Sequence, residues 1–246
     1  MEAFILFCLG AILASFVSVI AERAYTGQSW SKGRSRCDSC ATDLTSHDLV
    51  PILSWILARG RCRSCGSKVP VQYVVVEAVM GTIFVLGYLK LGIALSLLWF
   101  ALSMLVLLFI VLYDTRHTIV PVPASILLLV FSGLYAVTVS LDLYSLGVWS
   151  MTAAITGLFF FSLYFFSKGR AMGLGDTPVA IALALLTGYS AFSGFLFTFW
   201  IGGVIGIVIL VLRRGGPRLG IEVPFVPFLA AGYLLAFFTQ WNPFIF

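Results

Sequence analysis

The sequence predicts an all-α polytopic membrane protein of about eight transmembrane helices carrying one small polar insert. Three observations predict it: the composition, the recurrence of long apolar runs, and the confinement of polar residues to one loop. Of the 246 residues 61% are hydrophobic and 10% charged, and the mean hydropathy is +1.07, far outside the range of soluble globular domains. Runs long enough to cross a hydrocarbon core of about 30 Å as helices begin near residues 3, 71, 92, 122, 147, 177, 196 and 225.

The first run, residues 3–21, resembles a signal peptide in length. No basic segment precedes it and no small-residue cleavage site follows, so it is expected to remain as the first transmembrane helix, residues 1–21. The polar segment 22–70 comes next, and residues 71–246 form a seven-helix membrane domain. Lysine and arginine accumulate in cytoplasmic loops. With eight spans, Lys90 alone of the 15 basic residues falls on one side. The N-terminus and C-terminus are therefore expected outside and the insert in the cytosol. The net charge of +5 then marks topology and contact with anionic membrane lipids, and gives no reason to invoke nucleic acid.

The insert holds four of the 5 cysteines as two pairs, Cys37-Asp-Ser-Cys40 and Cys62-Arg-Ser-Cys65. Two such knuckles can close a tetrahedral Zn²⁺ site. The alternatives are two disulfides, which a reducing cytosol opposes, or four idle thiols, which the paired spacing opposes. Four thiolates leave no open coordination position, so the role is structural. A segment this small lacks a self-sufficient core, and a metal would supply its folding energy. Cys8, alone in the first run, reads as a packing residue.

Asp114 follows directly on the third apolar run, in Tyr113-Asp-Thr-Arg-His-Thr-Ile-Val-Pro121. An acid near hydrocarbon costs several kcal/mol unless it faces protein or water, which makes it a functional-site candidate. The plain alternative is that it ends a helix at headgroup level. A second acid opens the sixth span in Gly173-Leu-Gly-Asp-Thr-Pro178. The two glycines permit tight turns and close approach, Asp176 suits an N-cap, and Pro178 suits a first turn. Two crossings separate Asp114 from Asp176, so both end on one face, the cytosolic one. Two carboxylates about 3 Å apart would share a proton. One then acts as general base on water and the other as general acid on a carbonyl oxygen, as in an aspartic protease. His47 and His117 are the 2 histidines, which leaves little for a Ser-His triad. There is no HExxH motif, P-loop or GxGxxG.

These residues resemble the GxGD membrane aspartic proteases. The presenilin and signal peptide peptidase branch shares Tyr113-Asp114 and Gly173-Leu-Gly-Asp176. The bacterial type IV prepilin leader peptidases are similar over much more of the chain, from about residue 9 to 232. They match the insert with its CxxC pairs, the segment from Asp48 to Trp55, that from Pro70 to Glu77, the Ile-Val-Pro121 segment, and Glu222-Val-Pro-Phe-Val-Pro-Phe leading into the last helix. The resemblance implies an endopeptidase of the bacterial inner membrane, with its active site at the cytosolic face. It would remove the basic leader of a type IV prepilin or pseudopilin after a glycine, and often N-methylate the new N-terminus with S-adenosylmethionine. Asp114 and Asp176 match the catalytic aspartates, and Cys37, Cys40, Cys62 and Cys65 the zinc ligands. Glu77 or Glu222 offers an acidic contact for a basic leader.

Two other readings stand beside this one. A presenilin-like protease cutting within transmembrane helices would have spans interrupted deeper in the bilayer. A non-enzymatic scaffold or transporter with a zinc-ribbon docking domain would carry polar residues along the middle of several spans, and the span centres here are nearly free of charge.

Overall fold

The computed structural model describes residues 1–26, 29, 33–140, 142–170, 172–212 and 223–243. Nine α-helices run through them: α1 (Glu2–Thr26), α2 (Leu53–Leu57), α3 (Gln72–Leu91), α4 (Leu95–His117), α5 (Val122–Val139), α6 (Leu143–Ser167), α7 (Asp176–Thr187), α8 (Ala191–Leu212) and α9 (Val226–Thr239). Apart from the short α2, these are eight apolar helices that start close to the eight expected positions. Among the described residues the only strand-like pairing is two isolated bridges in the insert.

Among the described residues six helical stretches are long and apolar enough to cross a membrane, the last being Asp176–Ile209, which takes in α7, a 3-10 turn and most of α8. Two helices are shorter than the apolar runs suggest. At 12 residues α7 is about 18 Å long and at 14 residues α9 about 21 Å, against a core of about 30 Å. The turn between α7 and α8 is set by Gly188 at φ +58°, a conformation glycine adopts without penalty.

The chain divides into two compact units, Met1–Ile93 and Ala94–Phe246. In the first, α1 packs antiparallel on α3 at close range. A Cβ on Gly10 would lie 2.9 Å from the Met80 carbonyl oxygen, and one on Gly81 2.9 Å from that of Phe7, so small residues let the backbones meet, the usual packing device between membrane helices. The Tyr88 hydroxyl donates to Glu2 at the far end of the pair.

The insert between α1 and α3 contains two matching turns. Cys37 N–H donates to the Thr42 carbonyl and Ala41 N–H to the Cys37 carbonyl; Cys62 N–H donates to the Ser67 carbonyl and Gly66 N–H to the Cys62 carbonyl. Each turn is closed by a bridge, Arg36 with Asp43 and Arg61 with Lys68. Between the two turns, Asp48 accepts from the Thr45 hydroxyl at 2.6 Å, which holds its carboxyl below the usual range.

In the second unit α7 is the central helix, packed against α5, α6 and α9. Nine of its 12 residues are buried, and it is apolar on every side, as a helix enclosed by others must be. Its alanines keep it thin, and Ala180, Ala182 and Ala184 are fully covered. Helix α6 runs antiparallel to it: a Cβ on Gly157 would reach Ile181 at 2.6 Å and one on Gly188 would reach Trp149 at 2.5 Å. Helices α8 and α9 form a second tight antiparallel pair, Gly232 lying against the backbone of Thr198.

Candidate active site

Asp114 lies in the last turn of α4, which ends at Thr118 in the left-handed conformation (φ 52°) with its N–H on the Asp114 carbonyl. The side chain is 3% exposed. Its Oδ2 accepts a hydrogen bond at 3.2 Å from the backbone N–H of Val226, the first residue of α9. The N–H groups of a helix's first turn have no partner within the helix, and a carboxylate is favoured there by the helix dipole. The start of α9 thus fixes Asp114 from 112 residues away.

Asp176 is the first residue of α7, with Gly175 as the N-cap, one place further in than the cap position the sequence suggests. It is 6% exposed, and its Oδ2 turns back to accept from Gly173 N–H at 3.2 Å. The two carboxylates sit at the same end of the second unit, Asp114 at the end of α4 and Asp176 at the start of α7. Gly175 is needed for this approach. A Cβ there would lie 2.7 Å from the Cβ of Val120, whereas one on Gly173 would meet nothing nearer than Asp176 Oδ2 at 3.5 Å. The glycine motif therefore rests on the Ile-Val-Pro segment, whose Pro121 is the N-cap of α5. Next in sequence to Asp176, the buried hydroxyl of Thr177 has no hydrogen-bond partner among the described residues.

The pair is recessed. Phe225, next to Val226, lies 6.0 Å from Phe160 of α6 and 6.1 Å from Phe199 of α8, ring to ring. From that level α6 continues to Ser167 and α8 to Leu212, about 10 Å and 20 Å further at 1.5 Å per residue. Both acids end helices, as expected, and α6 and α8 run on past those ends. The His117 ring lies tilted against that of Tyr113, their centroids 4.8 Å apart.

The four cysteines of the insert also meet. Their sulfur atoms all lie within 4.8 Å of one another, with Cys37 and Cys65 at 3.9 Å; a tetrahedron of sulfurs about 2.3 Å from Zn²⁺ has edges of about 3.8 Å. No disulfide joins them. Backbone N–H groups, that of Cys40 first, push the Cys37 thiol down to about 6, and the Ser67 hydroxyl lowers Cys65. Both effects favour the thiolate a metal needs, whereas burial and the neighbouring thiols raise Cys62. The donor set and spacing fit a four-coordinate metal ion.

Glu77, 7% exposed on α3, accepts from the backbone N–H of Ile52 in the insert at 2.8 Å. Glu222 lies outside the described residues. No residue type marks the Val226 and Ile52 amides as partners of acids, because a backbone donor has no residue-type signature; Pro227, which marks the first turn of α9, is the nearest hint.

Comparison with known proteins places two family models end to end on the chain: the bacterial peptidase A24 N-terminal domain over residues 8–91 and the type IV leader peptidase family over residues 99–211. Three relatives carry the name prepilin leader peptidase/N-methyltransferase. One from Bacillus subtilis (strain 168) is 28% identical over 234 residues, 95% of this chain and 92% of the relative. One from Myxococcus xanthus (strain DK1622) is 30% identical, covering 88% of this chain and 66% of the relative. One from Dichelobacter nodosus is 31% identical, covering 81% and 69%. No solved structure matches the chain.

Proposed function

The chain belongs to the type IV leader peptidase family, and from that premise we propose that Asp114 and Asp176 are the catalytic pair of a prepilin leader peptidase that also methylates the new N-terminus. The observation that carries this reading is the burial of two carboxylates from different helices at one place, each tethered through Oδ2 to a backbone N–H. The other oxygen of each is left for chemistry. One carboxylate takes a proton from a water molecule as that water attacks the scissile carbonyl, and the other gives a proton to the carbonyl oxygen. The tetrahedral intermediate then collapses: the C–N bond breaks, the amine leaves with a proton, and the leader departs with a carboxylate end. Burial of both acids strengthens each electrostatic contact.

The substrate is a prepilin or pseudopilin whose apolar helix lies in the bilayer. Because the pair is recessed by about two turns of α6, the cleavage point must enter the bundle between helix ends, and binding rests on that apolar helix more than on the basic leader. The distribution of lysine and arginine supports a multi-pass arrangement in the bacterial inner membrane, with the pair at the cytosolic end and the N-terminus outside. Zn²⁺, held by Cys37, Cys40, Cys62 and Cys65, would pin the two turns of the insert. S-adenosylmethionine is the methyl donor that fits the name carried by the relatives.

The test is to incubate the purified protein with a prepilin, with and without S-adenosylmethionine, and read the product N-terminus by mass spectrometry. A cut after a glycine is expected, with an added methyl mass only when the donor is present. No cut with several prepilins would overturn the reading.

The glycine motif gives a graded prediction. Gly175→Ala forces Val120 or the start of α7 to move, at a cost of about 1–3 kcal/mol, and a displacement near 1 Å lowers cleavage by about 10²-fold. Gly173→Ala meets ordinary van der Waals contact and should retain most activity. Equal losses, measured as kcat/KM at matched expression, would contradict the packing argument.

A further inference from the structure

Residues 49–57 of the insert carry a surface that the peptidase chemistry does not use. Leu49, Val50, Leu53, Ile56 and Leu57 are all exposed, from 41% for Val50 to 66% for Leu57. For five large apolar side chains within nine residues of an otherwise polar loop, exposure to water is costly. We propose that this segment, with the short helix α2 at its centre, is a membrane anchor that dips into the boundary between headgroups and acyl chains beside α3.

The depth follows from one hydrogen bond. Ile52 N–H donates to Glu77, and Glu77 lies five residues into α3, which begins at Gln72. With 20 residues, α3 is about 30 Å long, just the thickness of the hydrocarbon core, so Glu77 lies about 7 Å inside it. Helix α1 gives the same answer independently. Gly10 abuts Met80 and Gly81 and the helices are antiparallel, which sets Glu77 level with about Ala14, roughly 12 Å inward of Glu22, the first charge to follow in α1. Interfacial helices bury their apolar face by about 5–10 Å, which is the depth at which the bond holds Ile52.

The local chemistry agrees. Ile52 has φ +61°, a strained turn whose N–H points away from α2. On a loop in water that amide would be satisfied by solvent. In hydrocarbon it needs a protein acceptor, and a buried carboxylate supplies one. Six further N–H groups are closed within the segment: Leu53 on Pro51, Ser54 on Val50, Ile56 on Ile52, Ala58 on Ser54, Arg59 on Ile56 and Gly60 on Trp55. The indole of Trp55 donates to the Val69 carbonyl. Val71, Val75 and Val79 on the outward face of α3 are likewise more than half exposed. Arg59, Arg61 and Lys68, all exposed, follow it in the chain and suit anionic headgroups.

A soluble partner protein would not reach this depth, whereas lipid is already there. The experiment uses the full chain in vesicles containing anionic lipid, with a photoreactive amino acid placed singly at Leu53, Ile56, Val75 or Ser64. After irradiation, lipid adducts are counted by mass spectrometry. Leu53 and Ile56 should give yields within a few-fold of Val75, the control on the outward face of α3, and at least about tenfold above Ser64 in the second knuckle. Adducts at Val75 with only background at both Leu53 and Ile56 would overturn the proposal. So would cross-links from both positions to protein, whether to α4–α9 or to a second copy, in place of lipid. None of these outcomes depends on the aspartates, so the anchor stands or falls apart from the peptidase reading.

Discussion

Replacing either Asp114 or Asp176 by Asn is expected to leave the protein folded and inserted while lowering leader cleavage at least about 10³-fold. The fold survives because an asparagine oxygen still accepts from Val226 N–H or Gly173 N–H, the bonds that seat the two carboxylates. The chemistry does not survive, since an amide can neither take a proton from water nor return one to the carbonyl. Expression level, detergent behaviour and melting temperature should match the wild type, so that the loss belongs to the reaction. If either variant keeps more than a few per cent of wild-type kcat/KM, the residue ends a helix and nothing more.

The second large effect concerns the insert. Cys62→Ser, or prolonged chelation, is expected to release zinc and loosen residues 33–70, because metal binding in small thiolate sites contributes on the order of 10 kcal/mol of folding free energy to a segment with no buried apolar core of its own in its short helices. Zinc content and proteolytic nicking of the insert report this directly. Every contact that seats the aspartates, from Val120, Gly173 and Val226, lies within the second unit. Peptide hydrolysis should therefore fall less than methyl transfer when both are assayed on one prepilin. Equal loss of the two activities in an otherwise folded protein would show that the insert also builds the peptidase site.

Much of this was legible before any coordinates. Long apolar runs mark membrane helices because hydrocarbon tolerates no other open backbone, and the runs begin where the helices do. The knuckle spacing brings four thiols together because each Cys-x-x-Cys turn presents two sulfurs on one side. Counting two crossings between Asp114 and Asp176 sufficed to put them at one end. What the sequence concealed is depth. Residues 176–209 are apolar throughout, so hydropathy has no means of registering that α7 stops after 12 residues at Gly188 and that the next helix overshoots it. The recess of the pair depends on that shortness. Equally hidden are the two long-range bonds from backbone amides to acids, Val226 to Asp114 and Ile52 to Glu77. Glu77 reads in sequence as an acidic contact for a basic leader; in the structure its carboxylate accepts from the turn that carries α2.

The central claim is that Asp114 and Asp176 act as one unit on one water molecule. Residues that act as a unit are strongly non-additive, so the most direct measurement is a double-mutant cycle: kcat/KM for leader cleavage by the wild type, Asp114→Asn, Asp176→Asn and the double variant, on one prepilin at one pH. The account requires all three variants to fall to the same floor, the second substitution costing almost nothing once the first is made. A double variant slower than either single variant by the product of their separate losses would mean that the two carboxylates work independently, and would contradict it.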